Sequence, residues 1–385
     1  MFAFILSILE FDIIIIGAGP AGCTSALALS NSGLKVALIE KESFPRDKVC
    51  GDAIPTRAIK VLATISGELA AAFEKFPVKT LTKQTEVVYD SKSFAINWNT
   101  DAYTCTRMEF DGLLFSLVLQ HTNTEVYQNT AIKQITRTED GFVIQSATGK
   151  SFTTKLIIGA DGAQSVSAKL LTDRRLDRKH HIGAVRAYYT GIEDVIPGTN
   201  EIYINKEFLP GYLWIFPFND GSANVGFGML SQQIADRKIN IKKAFYDFLE
   251  CTPQLAAKFK NATLNGTLEG HSLPLGSRHV QVCGDGFMLT GDAASLIDPI
   301  SGDGIGNAML SGRLAAEQAV TCFKQNDFRD VFILSYEKKL RQALDKEMRF
   351  HYKVQKALHS MPFLLDLIFG LTRYKTVRKY LQKLP

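Results

Sequence analysis

MLTGDAASLIDPISGDGIGNAMLSGR, residues 288–313, is the stretch on which the reading of this 385-residue chain turns. An apolar strand end runs into Gly291-Asp292, then Asp298-Pro299, then a helix entrance carrying Gly302, Gly304 and Gly306. Glycines at such an entrance let backbone approach a bound group without side-chain clash. A helix beginning near Gly304 would point its positive end at that group.

The partner of this stretch lies some 270 residues earlier. Phe11–Ile16 is a continuous apolar run, as expected of a central parallel strand buried on both faces. GAGPAG, residues 17–22, follows it and opens a helix from Pro20 to about Ser32, after which Leu34–Glu40 reads as a second strand. In such a turn the first glycine permits the tight bend and the second admits pyrophosphate to the backbone. The third allows close helix–strand packing. Pro20 and Ala21 begin the helix whose free N–H groups face phosphate. Glu40, ending the second strand, can accept ribose hydroxyl hydrogen bonds, and a carboxylate there argues against a phosphorylated ribose. The two segments together read as a dinucleotide site with a second segment closing over a flavin.

Residues 78–104 and 182–230 change character, with alternating apolar and polar positions typical of antiparallel strands. The predicted fold class is therefore α/β: a Rossmann-like nucleotide domain interleaved with a β-sheet substrate domain, and a helical C-terminus. The expected boundaries are 1–77, 105–180 and 271–326 for the first, 78–104 and 181–270 for the second, and 327–385 for the helical region. Tyr212, Trp214 and Phe216 alternate along one strand and share one face, offering an aromatic wall to an apolar substrate.

Composition narrows the function classes. A net charge of +5, with 22% charged and 46% hydrophobic residues, is ordinary for a globular enzyme and is no nucleic-acid signature. The six cysteines form no Cys-x-x-Cys pair and the seven histidines are scattered, so free thiols, a cytoplasmic setting and no metal site are expected. The apolar residues 1–9 lack the basic flank and cleavage site of a signal peptide, and no segment has the roughly 18 apolar residues of a membrane helix. Residues 361–371, MPFLLDLIFGL, are apolar and precede Arg373, Lys375, Arg378, Lys379 and Lys383, a pattern compatible with peripheral membrane contact as well as with a packed helix.

With the phosphate loop, the Asp161-Gly162 pair in IGADGAQS (158–165) and Gly291-Asp292, the chain resembles the flavoprotein hydroxylase superfamily. FPRDKVCGD (44–52) and GYLWIFP (211–217), with Asn224-Val-Gly226, look like its geranylgeranyl reductase branch. The resemblance implies FAD as cofactor, and reduction of carbon–carbon double bonds in an isoprenoid or lipid-like substrate. It also implies an electron donor, either NAD(P)H or a redox protein. It makes Arg107 a contact of FAD and Asp292 a ligand of the ribityl and pyrophosphate region, with Asp161 a supporting residue. Lys41, Cys50, Gly51, Gly304, Ile305 and Gly306 complete the expected cofactor surface. Cys50 is the expected proton donor, and Arg46 and Lys48 nearby either lower its pKa or stand as solvated charges. Gly51 is followed by Asp52 where many members carry a further glycine. The competing function is an oxygen-using aromatic monooxygenase or halogenase, whose Trp-x-Trp-x-Ile-Pro strand Tyr212–Pro217 partly matches.

Overall fold

The computed structural model describes residues 8–371. The apolar residues 1–7 and the basic run from Arg373 onward, singled out above, lie outside the described residues.

Two eight-stranded sheets organise the chain. In the first, Leu9–Ile16 is central: Ile13, Ile14 and Ile15 are fully buried, as an apolar run covered on both faces must be. It pairs in parallel with Val36–Ile39 on one side and Ser151–Gly159 on the other. Phe287–Leu289 and Glu125–Tyr127 extend the parallel array outward. An antiparallel hairpin, Ile132–Thr138 with Gly141–Ser146, hangs from Ser151–Gly159.

The helix after the phosphate loop runs Pro20–Ala28, shorter than the sequence suggested, because the chain then turns towards Gly33 at φ +74°. It is sandwiched between the sheet and the 21-residue helix Ile305–Gln325. These two helices touch closely. A Cβ at Gly312 would lie 2.3 Å from the Ala21 carbonyl oxygen, and Ser25 Oγ donates to the Gly312 carbonyl at 3.0 Å. The stretch that opened the reading is thereby locked onto the phosphate-loop helix.

The second sheet runs, in spatial order, Thr263–Pro274, His181–Thr190, Ser222–Leu230, Tyr212–Pro217, Thr199–Ile204, Thr80–Tyr89, Lys92–Thr104 and Ala53–Ile54. Alternation divides its faces. Val185, Leu213, Ile215, Val225 and Phe227 pack against Phe245 and Phe248 of helix Ile241–Cys251. Arg186, Tyr188, Trp214, Phe216 and Asn224 take the opposite face, towards the nucleotide-binding sheet.

The C-terminal helices tie the two sheets together. Helix Asp330–Ser360 buries Ile333, Tyr336, Leu340, Leu344 and Met348 in the first core, and Tyr336 donates to the Leu289 carbonyl at 2.7 Å. Helix Phe363–Leu371 instead places Leu365 and Phe369 against Tyr89 and Leu209 of the second sheet's side.

Candidate active site

Gly17 adopts φ +100°, and a Cβ there would stand 2.4 Å from the Ala160 carbonyl oxygen, so only glycine makes this turn. At Gly22 a Cβ would meet the Gly17 carbonyl at 1.8 Å, the close packing expected of a third glycine. Gly19 faces open space, with only Arg46 Nη2 at 3.8 Å from its missing Cβ. Glu40, 4% exposed, accepts from Ala18 N at 2.7 Å and Glu42 N at 3.1 Å. Each of its oxygens keeps a lone pair for a further donor. Lys41 points outward and pairs with Glu42 at 3.4 Å.

Beyond the phosphate loop stands a buried charge cluster. Arg107 donates from Nε and Nη2 to the two carboxylate oxygens of Asp111, each at 2.7 Å, one turn along helix Arg107–His121. Arg46 adds a third bond to Asp111 at 3.0 Å and stacks on Phe44 at 4.7 Å. Burial pushes the Asp111 carboxyl up, but these two guanidiniums outweigh it and hold it below the usual carboxylate range. Lys48 reaches Asp292 at 3.1 Å; burial raises that carboxyl, the ammonium lowers it further, and it is held ionised. Asp292 Oδ1 in turn lies 3.4 Å from the position of a Gly304 Cβ, so strand end, helix entrance and the 44–52 loop meet at one point. Asp161 accepts from Ser165 Oγ and from Ser167 N at 2.8 Å, pinning the loop beside the Gly17 turn.

The 47–52 loop is bonded to the strands of the second sheet. Asp47 accepts from Arg186 at 2.8 Å, and Arg186 lies over the Tyr188 ring at 4.3 Å. Asn224 donates to the Cys50 carbonyl at 2.8 Å and to Asp52 Oδ2 at 2.7 Å, while its own oxygen accepts from Trp214 Nε1 at 2.8 Å. Tyr188 adds a bond to Asp52 Oδ2 at 2.7 Å. Asp52 is fully buried at φ +63°, a conformation that favours glycine, and its side-chain bonds hold it there. The departure from the glycine pattern thus leaves the loop in a glycine-like turn. Burial lifts the Asp52 carboxyl to about 6 against those hydrogen bonds, and its Oδ1 has no partner.

Cys50 requires a correction. Of the two readings open for its basic neighbours, a lowered thiol pKa is the one that fails: burial raises it, with Arg107 opposing, Asp52 adding and Lys48 opposing. Arg46 is occupied by Asp111 instead. A Cβ built on Gly51 would sit 3.3 Å from Phe216 and 3.5 Å from Trp214 Nε1, so this peptide lies directly under the aromatic wall. Tyr212, Trp214 and Phe216 do share a face, with ring centroids 6.2 and 6.3 Å apart in succession.

The third wall is the loop Asp298–Gly304. Tyr212 donates to the Ser301 carbonyl at 2.6 Å. Asp298 accepts from Ile300 N and Ser301 N at 2.9 and 2.8 Å, and is backed by His351 Nδ1 at 2.5 Å. Glu347 joins them, but it is bound by Arg57 at 2.5 Å, so this trio is held together by ion pairs. Gly304 caps helix Ile305–Gln325 without a side-chain bond of its own, and Asp303 accepts from Gly306 N at 3.5 Å in the first turn, whose positive end faces the site. The region 271–351 also supplies two groups that the sequence reading missed. His271, with Nε2 unpartnered, is held neutral by burial, which lowers its pKa to about 4. The other is His351. Arg186 and Tyr188 were legible only as polar interruptions of an apolar strand, and Asn224 only as part of the Asn224-Val-Gly226 resemblance.

These parts fit a flavin dinucleotide. A glycine turn and an uncapped helix start suit pyrophosphate, Glu40 suits a ribose, and the glycine entrance at 302–306 with its helix dipole suits the ring. The FAD-binding domain family model matches residues 10–315, and the chain is an FAD-dependent oxidoreductase. Within that class it belongs to the geranylgeranyl reductase family. It is 30% identical over 346 residues to a digeranylgeranylglycerophospholipid reductase of Methanosarcina acetivorans, covering 88% of this chain and 80% of that one. A menaquinone reductase of Mycolicibacterium smegmatis is 28% identical over 324 residues, covering 80% and 75%. Among solved structures, a geranylgeranyl bacteriochlorophyll reductase-like protein from Thermoplasma acidophilum superposes with a TM-score of 0.81 at 24% identity, covering 94% and 91%. A flavin-dependent brominase shares the fold at TM-score 0.75 and 22% identity, over 94% and 93%.

Proposed function

We propose that this chain reduces carbon–carbon double bonds of an isoprenoid or similarly lipid-like substrate. The observation that carries the reading is the Cys50-Gly51 peptide lying against Trp214 and Phe216 of the aromatic wall. Reduced FAD, when bound, supplies a hydride to one alkene carbon. The other carbon needs a proton, and burial keeps the Cys50 thiol protonated and able to give one. The guanidinium of Arg107 beside Cys50 favours the thiolate left behind. The buried Tyr188–Asp52 pair stands next along the chain of polar groups to return the proton. Tyr212, Trp214 and Phe216 exclude water and hold an apolar chain over the reacting centre. A further reductant, a nicotinamide nucleotide or a redox protein, restores the flavin.

The substrate's source supports a peripheral membrane role. No described helix is long and apolar enough to cross a membrane. On helix Phe363–Leu371, however, Phe363, Leu367 and Leu371 recur every fourth residue and are 60%, 55% and 40% exposed. That outward stripe, followed in sequence by the basic run from Arg373, suits the surface of an anionic bilayer.

The test is anaerobic. Purified flavoprotein is reduced, freed of excess reductant and mixed with geranylgeranyl diphosphate or a prenylated lipid. Flavin reoxidation with a gain of two hydrogens in the product is the expected result. Reoxidation only by oxygen, with hydroxylation or halogenation of an aromatic compound, would establish the competing oxygen-using activity instead. Cys50→Ala should leave FAD bound and cut alkene-dependent reoxidation by about 10²-fold or more; full activity would remove Cys50 from the mechanism.

A further inference from the structure

One carboxylate gathers the loop between residues 298 and 304. Asp298 Oδ1 accepts from Ile300 N at 2.9 Å, Ser301 N at 2.8 Å and Ser301 Oγ at 3.0 Å. The Asp298 backbone closes the same loop, its N donating to the Asp303 carbonyl at 2.9 Å and its carbonyl accepting from Gly302 N at 3.1 Å. The other carboxylate oxygen takes His351 Nδ1, from helix Asp330–Ser360, at 2.5 Å. Burial raises the Asp298 carboxyl, but His351 and the loop N–H groups hold it below the usual carboxylate range. The two side chains are only 5% and 12% exposed, so the pair is shielded from water.

The helix grips the loop at a second point. Gln355, one turn after His351 and 2% exposed, donates to the Pro299 carbonyl at 2.6 Å. The two grips differ in kind, since an amide does not titrate and an imidazole does. Around His351 stand Asp298, Glu347 one turn earlier on the same helix, and Arg57 of helix Thr56–Ile65, which bonds Glu347 at 2.5 Å. The Asp298 hydrogen bond raises the His351 pKa above its ordinary value; burial opposes, the Asp298 and Glu347 charges add, and Arg57 opposes.

We propose that His351 is a positioning residue for the bound flavin: acting through Asp298, its imidazolium fixes the 298–304 loop in the form that receives the ring, so that the proton on His351 and the retention of FAD are coupled. The inference rests on FAD binding and not on which double bond is reduced. Gly302 and Gly304 offer the ring only backbone, so no side chain there can make up for a displaced loop. When His351 loses its proton, Asp298 is left as a shielded carboxylate without its counter-charge. It then takes up a proton, surrendering an acceptor of the Ile300 and Ser301 bonds, or admits water; either loosens the loop. The sign follows from the raised pKa. The grip is complete below the ordinary value of 6.5 and is lost as pH rises through the higher folded value. The coupling is reciprocal, so bound FAD tightens the hold of His351 on its proton by the same factor.

The experiment dilutes the FAD-loaded protein at a series of pH values from 6 to 9 and follows release of FAD by flavin fluorescence. Asp52 and Asp303, both raised to about 6, titrate at the foot of this range, so the slope above pH 7 is the readout. The wild-type dissociation constant should rise about tenfold there. His351→Asn keeps an amide nitrogen near the place of Nδ1 and cannot ionise; it should hold FAD about tenfold more weakly at pH 7, with no slope above it. His351→Lys carries a cation throughout and should also lose the slope, while staying within about threefold of the wild-type affinity at pH 6. Gln355→Leu removes the neutral grip and should weaken FAD equally at every pH, keeping the wild-type slope. A merely structural role for His351 would make the Asn and Leu variants behave alike. A wild-type profile flat above pH 7 overturns the proposal even where a variant holds no FAD, and so does a wild-type slope surviving in either His351 variant.

Discussion

Gly226→Ala tests how the aromatic wall is held, with a perturbation of a single methyl group. Gly226 pairs across the sheet with Trp214, and its missing Cβ would lie 2.1 Å from Trp214 Cζ2, 2.5 Å from Cε2 and 2.6 Å from the Val185 carbonyl oxygen. The carbonyl belongs to the neighbouring strand His181–Thr190 and cannot retreat without loss of ladder bonds, so the indole must swing away. Overpacking of this kind costs about 1–3 kcal/mol. The Trp214–Asn224 hydrogen bond, 2.8 Å long, is lost with the swing and adds about 1 kcal/mol. The sum, about 2–4 kcal/mol, corresponds to a fall in Tm of several degrees for a chain of this size. Function should suffer more than stability, because Asn224 also fixes the Cys50 carbonyl and Asp52. Once it is released from Trp214, alkene-dependent flavin reoxidation should drop about tenfold or more while FAD affinity is retained, the phosphate loop being untouched. The assay is best run in a Trp98→Phe background, since Trp98 is the only other tryptophan and is 42% exposed. Emission then reports Trp214 alone and should shift to the red. A melting temperature, emission maximum and reoxidation rate all matching the parent would refute the reasoning.

Asp111→Asn should lower stability by about 3–5 kcal/mol in urea unfolding, since it leaves the buried Arg107 and Arg46 guanidiniums without their carboxylate; an unchanged midpoint would show that the cluster contributes little. Asp52 makes stability depend on pH in a defined direction. Its folded pKa of about 6 stands above the ordinary 3.8, so the folded state holds the proton more tightly. That contribution is fully present below pH 3.8 and is lost as pH rises through about 6, a change on the order of 3 kcal/mol. Asp303, raised to about 6 by burial, acts in the same window, so Asp52→Asn should reduce the slope of stability between pH 4 and 6 without abolishing it. A slope identical to that of the wild type would sink the assignment.

How far the site was legible in the sequence follows from how local each constraint is. The Gly17–Gly22 turn could be read because its requirements lie within six residues: a positive φ, a close helix approach, a free helix start. Face assignment for Tyr212, Trp214 and Phe216 was equally accessible, since alternation along one strand needs no partner. The identity of what meets that face was not. Asp47, Cys50 and Asp52 find Arg186, Tyr188 and Asn224 across separations of 136 to 174 residues, and only the sheet register brings them together. The direction of the thiol pKa stayed open in the sequence for the same reason. Basic residues next to Cys50 in sequence suggest a lowered value, but Arg46 turns to Asp111 and burial decides the sign. Asp52 illustrates the remaining gap most sharply. In sequence it is a missing glycine; in the fold its backbone keeps the left-handed turn. Its carboxylate then becomes the junction at which Tyr188 and Asn224 meet the Cys50 loop. A substitution that would ordinarily strain the loop is therefore the residue that fastens it to the aromatic wall.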